Sequence, residues 1–362
     1  MHSRQNVALR SLTTFGVAGT AAQAWTLDSP DQMDALLEAL GGRLPFILGG
    51  GSNILFARDL HEPVVLVRLA GRRLVEDDGT RIVLEVGAGE GWDDTVRYSL
   101  SEGWFGLENL SSIPGLVGGA PWQNIGAYGV EVAEFIQAVD AVDTITGERR
   151  RFTALECAFD YRSSFFKTQA GRRWLITSVL LRLSREPRPR VDYGEVRQEI
   201  EALAARAAGE EQRAPDAVAG APGGASPQPS PSPQQVAAAV RSIRRRRLPD
   251  PAVLGNAGSF FKNPIVSLED ALVLRRVFPA APAYPVPGDA TRLKLSAAWL
   301  IESAGWKGFR DGDAGVSAQH ALVLVNHGNA TGRQLLAVAR RIQQSVLERF
   351  GVALEPEPVI VA

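Results

Sequence analysis

The sequence contains a single cysteine, Cys157, and only four histidines. One thiol excludes a disulfide framework and a cysteine-based zinc site. No histidine lies near Cys157 in the sequence, so we expect a buried structural thiol rather than a nucleophile. The histidines form no HExxH pair, and we therefore expect no metal site.

Neither an excess of one charge nor a long apolar run is present. The 39 Lys and Arg residues nearly balance the 40 Asp and Glu residues, which argues against binding of nucleic acid through bulk charge. No apolar run reaches the ~18 residues that a membrane-spanning helix needs, and the N-terminus lacks the apolar segment of a signal peptide. We expect a cytoplasmic protein without membrane insertion, and a monomer.

One segment has a composition of its own. Residues 207–235 hold six of the 22 prolines and no aromatic residue. Such a stretch buries too little apolar surface to offset the entropy lost on ordering, so it is predicted to be a disordered insertion. The remaining sequence, in a chain of 362 residues, is long enough for two or three domains.

Helix and strand signals alternate without strict βαβ spacing. The sequences Ser29–Gln32 and Thr331–Gln334 are capping boxes, and each precedes an amphipathic helix pattern. Strand patterns cover residues 44–48, 64–69, 81–86, 175–183 and 321–326. This mixture predicts an α+β (mixed α/β) fold with more than one domain.

The first glycine-rich loop, LGGGSNIL, lies between two apolar segments. Glycines clear side-chain bulk from a turn, so backbone N–H groups can approach an anion closely. No GK[ST] follows, and Ile54 stands at the last glycine position of GxGxxG, which excludes a P-loop and a Rossmann fingerprint. The loop is either a diphosphate cradle or a plain turn, and its candidate contacts are Gly49, Gly50, Gly51, Ser52 and Asn53.

The second glycine-rich loop extends from Leu107 to Gly129 and is too long for a simple connection. Its apolar content argues against disorder, so it is either the wall of a ligand site or irregular structure. Its candidate ligand contacts are Ser111, Ser112, Pro114, Gly115, Gly119, Gln123, Asn124, Gly126 and Tyr128.

A third stretch, GNAGSFFKNP, places Ser259 on a backbone of small residues with polar groups close behind. By itself this pattern fits a turn as well as a reactive hydroxyl. Taken with five other motifs, however, it resembles the UDP-N-acetylenolpyruvoylglucosamine reductase (MurB) family. In chain order the six motifs are LGGGSNILF, ENLSSIPGLVGGAPWQNIGAYG, YRSSFFK, GNAGSFFKNP, KLSAAWLIE and LEPE, and they extend along nearly the whole chain. The long form of the decapeptide and Tyr193 of VDYGEV resemble its type I branch.

The resemblance implies an FAD enzyme that uses NADPH to reduce UDP-N-acetylglucosamine enolpyruvate to UDP-N-acetylmuramate for the cell wall. It also implies a two-part FAD-binding module of the PCMH/vanillyl-alcohol-oxidase type and a C-terminal substrate domain. We accordingly expect FAD-binding subdomains at 1–70 and 71–206, a return of 350–362 to the second of them, and a substrate domain at 249–349.

The resemblance also assigns the chemistry to three residues. Ser259 would protonate C2 of the substrate, Arg162 would hold its carboxylate and the developing enediolate, and a protonated Glu357 could share a hydrogen bond with that enediolate. Pro358 stands where the family often has valine. The substrate contacts implied in the same way are Tyr161, Tyr193, Arg247, Lys262, Asn263 and His320.

Two alternatives stay open at this stage. A flavin oxidase on the same FAD-binding fold would need no proton donor at Ser259. A non-catalytic nucleotide-sugar binding protein would have lost its flavin, although Ser259, Arg162 and Glu357 argue against it. Arg247 ends a run of four arginines from Arg244, which fits either a solvated helix end or a diphosphate contact.

Overall fold

The computed structural model describes residues 2–211 and 230–362. Their contacts divide the chain into two compact units. The first unit contains Thr26–Gly49 and Val67–Arg245, and the second contains His2–Trp25, Gly50–Leu66 and Arg246–Ala362. This grouping differs from the expected division into three, because residues 1–70 contribute to both units. The three-domain division stays a prediction.

The described residues form α-helices and many short strands, which confirms the mixed α+β class. The helices are α1 Met33–Leu40, α2 Trp92–Ser101, α3 Gly119–Trp122, α4 Gly194–Glu211, α5 Pro233–Arg247, α6 Leu268–Val277, α7 Ala297–Ser303 and α8 Gly332–Phe350. The strands are β1 His2–Ala8, β2 Thr20–Leu27, β3 Phe46–Leu48, β4 Ile54–Phe56, β5 Val64–Val67, β6 Arg72–Asp77, β7 Arg81–Gly87, β8 Gly126–Ala127, β9 Val130–Glu131, β10 Ile136–Asp143, β11 Arg149–Thr153, β12 Trp174–Ser184, β13 Ile265–Ser267, β14 Ala283–Val286, β15 Asp289–Leu295, β16 Arg310–Asp311, β17 Ala314–Val316, β18 Leu324–Asn326 and β19 Val359–Val361. Within residues 2–211 and 230–362, no helix is long and apolar enough to cross a membrane.

The first unit is built on an antiparallel sheet with strand order β11-β10-β12-β7-β6. Alternate residues of a strand point to opposite faces, and Val83, Ala138 and Leu180 form a buried cluster on one of them. The β10–β12 register shifts between Asp140 and Ala141, which locally re-aims the side chains that follow. Ser29 accepts from the N–H of Asp31 and caps a short 3-10 turn, Pro30–Gln32, so the predicted capping box with Gln32 does not form; α1 follows this turn directly and ends at the left-handed Gly41.

Helices α4 and α5 share a hydrophobic cluster in the first unit. Val196 of α4 and Val236, Val240 and Ile243 of α5 are fully buried in it. The predicted insertion 207–235 is therefore wrong at both edges, because 207–211 belong to α4 and α5 begins at Pro233. The residues at these two edges are poor in apolar side chains, but they continue helices whose other residues form buried apolar stripes, and packing of those stripes favours the helical conformation. Residues 212–229 of that prediction lie outside the described residues.

The second unit is assembled from segments far apart in sequence. Strands β1, β2 and β5 lie side by side in that order, and β4 pairs in parallel with β19. The smaller sheets β13-β15-β14 and β16-β17-β18 complete the unit. Helix α8 begins with the predicted capping box of Thr331 and Gln334 and ends at Gly351. The final residues differ from the prediction, since β19 pairs with β4 and not with the 71–206 region, and β4 offers it a matching apolar ladder.

Candidate functional site

Ser259 stands at the start of a segment that is paired on both sides within the second unit. The N–H of the next residue, Phe260, donates to the carbonyl of Leu322 at 2.7 Å, and its carbonyl accepts from the N–H of Glu357 at 2.8 Å. The N–H of Lys262 continues the pairing by donating to the carbonyl of Glu355 at 2.9 Å. The backbone therefore brings Ser259, the His320 turn and Glu357 together, as their predicted shared site requires.

The backbone around Ser259 is held by its neighbours. The Asn256 side chain accepts from the N–H of Gly258 at 2.9 Å and donates to two carbonyls, at Pro249 and Leu254. Phe260 and Phe261 are fully buried. Gly258 has a left-handed φ of 69°, and a Cβ there would meet nothing within 4 Å. The glycine is thus required by conformation, and the space beside the serine remains open.

The end of the first glycine loop lies against the Glu357 segment. The Asn53 side chain donates to the carbonyl of Glu357 at 3.4 Å, and the Asn53 carbonyl accepts from Val359 at 3.1 Å. Gly51 has φ 61°, and a Cβ at this position would lie 1.9 Å from the carbonyl oxygen of Leu12. Close packing against Leu12 is therefore enough to explain why residue 51 is a glycine. Asn53, in contrast, connects the loop to the Glu357 segment.

His320 is partly buried close to the Ser259 strand. Its Nδ1 accepts from the N–H of Leu322 at 3.2 Å, which leaves the ring proton of the neutral form on Nε2. Burial lowers the pKa of His320, and the positive charges of Arg247 and Lys307 lower it further, while Glu302 raises it. The imidazole at this site is therefore kept neutral and can donate one hydrogen bond.

Three other predicted substrate residues belong to the same unit. The ammonium of Lys262 lies 3.1 Å from the Glu355 carboxylate. The Asn263 side chain accepts from the N–H of Ala297 at 3.0 Å and so fixes the start of α7. Arg247 is exposed at the end of α5 and close enough to influence His320.

Arg162 lies in a tight turn of the first unit. Asp160 and Ser163 exchange backbone hydrogen bonds across this turn, and Arg162 takes a left-handed φ of 54°. Its Nη2 donates to the carbonyl of Gly126 at 2.7 Å. A Cβ on Gly126 would come within 2.9 Å of the guanidinium, so glycine permits this approach. Arg162 also lies over the ring of Tyr161, with its Cζ 5.5 Å from the ring centroid.

Asn124 supports the turn that carries Arg162. Its amide nitrogen donates to the Glu131 carboxylate at 2.7 Å and to the Asp160 carbonyl at 3.1 Å, and its oxygen accepts from the N–H of Ala133 at 3.1 Å. The residue is only 1% exposed. Both amide hydrogens are engaged within the protein, so the structure gives Asn124 a positioning role. Its predicted cofactor contact stays a prediction.

Tyr128 and Tyr193 meet edge to face, with ring centroids 5.6 Å apart. Tyr193 is half exposed, and Tyr128 packs against the cluster of α4 and α5. Arg244 of α5 interacts with Tyr128 and donates from Nε to the carbonyl of Ser112 at 3.1 Å. Burial lowers the pKa of Arg244, and the charge of Arg162 adds to this, whereas Tyr128 and Asp93 raise it.

The second glycine loop wraps around the start of α2. Ser111 is fully buried and its hydroxyl donates to the Glu108 carbonyl at 2.8 Å, while the N–H of Ser112 donates to Asp93 at 2.6 Å. The Gly115 carbonyl accepts from Trp92 at 3.0 Å. Gly119 is exposed with open space around its Cβ position. The remaining predicted contacts are partly buried or exposed, namely Gly49, Gly50, Ser52, Pro114 and Gln123.

The residues of the first unit fit an extended dinucleotide such as FAD. A cavity of about 620 Å³ opens between α1, through Pro30 and Met33, and the sheet, through Leu69–Gly71 and Val142. Charged residues line it as well, namely Arg72, Arg73, Glu85, Asp140 and Arg149–Arg151, so its walls are mixed in character. Within the first unit Gly49 lies against Leu116, with 3.9 Å between the Cβ position of Gly49 and the Leu116 side chain. In the described part of the chain no group of three acidic, His or Cys residues could hold a metal.

Sequence reasoning missed Arg244, Asn109 and Glu131. The run of four arginines obscured Arg244, because nothing in the sequence separates its partly buried member from its exposed ones. Asn109 is 1% exposed and belongs to the second glycine-rich loop. Its burial cannot be read from the sequence, so nothing distinguished it from the other polar residues of that loop. The single thiol agrees with expectation, since Cys157 is buried and burial raises its pKa to about 12.

Comparisons with known proteins agree over the whole chain. The family described as UDP-N-acetylenolpyruvoylglucosamine reductase, C-terminal domain, matches residues 250–361, and an FAD binding domain family matches residues 25–153. UDP-N-acetylenolpyruvoylglucosamine reductase of Chromobacterium violaceum is 47% identical over 361 residues, which are 99% of this chain and 98% of the relative. The protein of the same name from Pseudomonas aeruginosa is 48% identical over 357 residues, which are 98% of each chain.

A solved structure is similar over its full length. The crystal structure of UDP-N-acetylenolpyruvylglucosamine reductase from Thermus caldophilus superposes with a TM-score of 0.63 at 27% sequence identity, and the match covers 100% of both chains.

Proposed function

Because the chain belongs to the UDP-N-acetylenolpyruvoylglucosamine reductase family, we propose that it reduces UDP-N-acetylglucosamine enolpyruvate to UDP-N-acetylmuramate, with Ser259 as the proton donor. It is an FAD-dependent oxidoreductase of peptidoglycan precursor synthesis, and NADPH is its reductant. The observation that supports Ser259 is the backbone pairing of Phe260 with both Leu322 and Glu357, which assembles three predicted site residues on neighbouring segments.

The reaction adds a hydride and a proton across the enolpyruvyl double bond. Bound FAD supplies the hydride. As hydride reaches C3, negative charge develops on C2 and its carboxylate, and the Ser259 hydroxyl gives its proton to C2. A serine hydroxyl is a weak acid, so the strongly basic carbanion at C2 is what makes this transfer favourable. The open side of Gly258 leaves room for the substrate beside the hydroxyl.

Charge stabilisation falls to Arg162 and Glu357. The Arg162 guanidinium, held by the Gly126 carbonyl, presents further N–H donors to the substrate carboxylate and the developing enediolate. Glu357 would share a hydrogen bond with the same oxygens if it carries a proton. Both groups interact more strongly with the enediolate than with the substrate, which lowers the barrier.

The remaining predicted residues bind the ligands. Lys262 and Arg247 offer positive charge to the diphosphate of the nucleotide sugar, and Asn263, His320, Tyr161 and Tyr193 offer hydrogen bonds. Backbone N–H groups of the glycine-rich loops would hold the diphosphate of FAD when it is bound.

Measuring the two half-reactions separately tests the role of Ser259. In Ser259→Ala, we expect NADPH to reduce the flavin at a rate near that of the wild type. Reoxidation by the enolpyruvyl substrate should slow by about 10²–10⁴-fold, as is typical for the loss of a general acid. Stopped-flow absorbance of the flavin follows both steps in the same preparation, so the first half-reaction serves as the control for folding and flavin content.

Equal slowing of both half-reactions would show that Ser259 is structural. An unchanged second half-reaction would assign the proton to another group. The two alternatives are tested as well: a flavin oxidase would show rapid reoxidation by oxygen without substrate, and a binding protein would remain colourless after addition of FAD. Relatives named as reductases over the whole chain argue against both.

We also propose that the protein acts as a cytoplasmic monomer. NADPH and nucleotide sugars are cytoplasmic metabolites, which supports this location. Light scattering of the purified holoenzyme should give the mass of one chain, 38.9 kDa, and a dimer mass would refute the assignment.

A further inference from the structure

We infer that Arg190, held by Glu134 and Asn109, is a positioning residue that seats the Tyr193 loop and ties it to the turn of Arg162. All these residues belong to the first unit. The inference rests on the proposed contact between Tyr193 and the substrate, and it assigns a role to residues that the chemistry above does not use.

The Arg190 end of the loop is held at two points. The Arg190 guanidinium forms an ion pair of 2.6 Å with the Glu134 carboxylate. The carbonyl of Arg190 accepts from the Asn109 side chain at 3.0 Å. The same amide group of Asn109 also donates to the carbonyl of Tyr128 at 3.2 Å. Asn109 therefore holds the loop against the residue whose ring meets Tyr193.

The contacts continue from Glu134 to the catalytic turn. Glu134 and Glu131 form a reciprocal capping box, in which the Glu134 carboxylate accepts from the N–H of Glu131 at 3.1 Å. Glu131 accepts from Asn124 at 2.7 Å, and Asn124 donates to the Asp160 carbonyl at 3.1 Å. Asp160 closes the turn that carries Arg162. A continuous chain of polar contacts thus joins the Arg190 side chain to the base of the Arg162 turn.

The local sequence makes the loop stiff enough to transmit this restraint. Pro187 and Pro189 precede Arg190 in the sequence REPRPRVDY, and each proline fixes its own φ and restricts the residue before it. Val191 is buried in the cluster of α4 and α5. Val191 and Asp192 are the two residues between Arg190 and Tyr193, so Arg190 and the buried Val191 together fix where the chain enters the tyrosine position.

The test compares Arg190→Ala and Arg190→Lys with a matched control in the same loop. Arg188 is also an exposed arginine, and it forms an ion pair of 3.0 Å with Glu186. That pair lies entirely within the loop and does not reach the Glu134 segment. Arg188→Ala therefore removes an equal charge from nearly the same place without removing the proposed restraint.

Hydrogen exchange of the resting holoenzyme measures the restraint itself. In Arg190→Ala we expect the backbone amides of residues 190–194 to exchange several-fold faster, because local opening becomes easier. Arg188→Ala and Arg190→Lys should leave these amides close to wild type. Unchanged exchange in Arg190→Ala would overturn the inference without bearing on the reductase activity.

Steady-state kinetics measure the consequence. Arg190→Ala should raise KM for the enolpyruvyl substrate by about two- to five-fold, the range that the loss of a partly exposed ion pair gives, with kcat unchanged. In a Tyr193→Ala background the same substitution should have almost no further effect, because the two residues act as a unit. Full additivity of the two substitutions would refute positioning through Tyr193.

The Tyr193→Ala and Arg190→Ala results together distinguish a failure of this inference from a failure of the proposed substrate contact. If Tyr193→Ala leaves KM unchanged while Arg190→Ala still speeds exchange, the proposed substrate contact of Tyr193 is wrong and the restraint on the loop stands. If Tyr193→Ala raises KM while Arg190→Ala changes neither exchange nor KM, the restraint is refuted and the substrate contact stands. Rescue by Arg190→Lys supports the ion pair, and failure of that rescue counts against it.

Discussion

Left-handed backbone conformations gather at the candidate site. Among the described residues six non-glycine residues have positive φ, and four of them are Ser112, Asn124, Tyr128 and Arg162. Each such conformation costs about 1–2 kcal/mol for an ordinary residue. The hydrogen bonds of Asn124 and the contact of Arg162 with Gly126 offset part of this cost. The fold therefore holds side chains at angles that an unstrained loop would not keep.

Neutral His320 gives a testable dependence of stability on pH. Burial and the charges of Arg247 and Lys307 lower its pKa in the folded protein, from an unperturbed value of about 6.5. As pH falls through this value, the unfolded chain takes up a proton that the folded protein does not. The free energy of unfolding therefore decreases toward acid pH. His320→Gln should reduce this decrease, which urea unfolding at pH 5.5 and 7.5 would measure.

The wild type at the same two pH values is the control for that experiment. His327 also has a lowered pKa, caused first by burial, so part of the acid loss should remain in His320→Gln. An identical loss in variant and wild type would show that His320 does not titrate differently in the folded protein.

Residue types at the site could be predicted from the sequence, whereas their local partners could not. The ordered motifs pointed to Ser259, Arg162 and Glu357 through their resemblance to the reductase family, and the roles of these residues stay predictions. Asn124 looked like a ligand contact for the same reason. The Asn124 amide faces Glu131 and Asp160 because the backbone of Asn124 is left-handed. The sequence gives almost no sign of a left-handed residue unless that residue is glycine.

Helix α5 is the element that carries Arg244 to the site. Its last turns place Ile243 fully inside the cluster with α4 and Arg244 beside Tyr128. Ile243→Ala should lower the free energy of unfolding by about 2–5 kcal/mol, the usual cost of truncating a buried isoleucine. Urea unfolding followed by circular dichroism would measure it.

Arg245→Ala on the exposed side of the same helix is the matched control. It should change stability by no more than about 0.5 kcal/mol. If both substitutions had the same small effect, α5 would not be held by its apolar face, and the position of Arg244 would need another explanation.

Elements with clear end signals were predictable, and those whose signals are absent or obscured were not. Thr331, Gln334 and Gly351 mark both ends of α8, and the structure uses all three. The start of α5 does carry a signal, because Ser232 and Gln235 form reciprocal capping hydrogen bonds around Pro233, but it lies inside a proline-rich stretch that obscured it. The alanines, glycine and prolines at the facing ends of α4 and α5 suggested one long segment without structure, and packing between the two helices extended them into it.

At the scale of the molecule, the second unit depends on contacts between distant parts of the chain. Asn256 donates to the carbonyl of Thr14, and the Asn326 side chain donates to that of Phe15. Such pairings follow from three-dimensional complementarity and not from local pattern, so sequence reasoning placed the last residues with the wrong partner. The correct partner is β4, more than 300 residues earlier in the chain.

Removal of Val359–Ala362 should therefore destabilise the second unit. It deletes β19, including the bond of 2.7 Å from the Ala57 N–H to the Val361 carbonyl and the bond of 3.1 Å from the Val359 N–H to the Asn53 carbonyl. Together with the loss of buried Val361 this should cost about 3–5 kcal/mol, measured by urea unfolding. Turnover should fall as well, because Glu357 loses the strand that anchors it. Removal of Ala362 alone is the control and should be nearly neutral, and equal stability of both truncated forms would show that β19 does not hold the unit together.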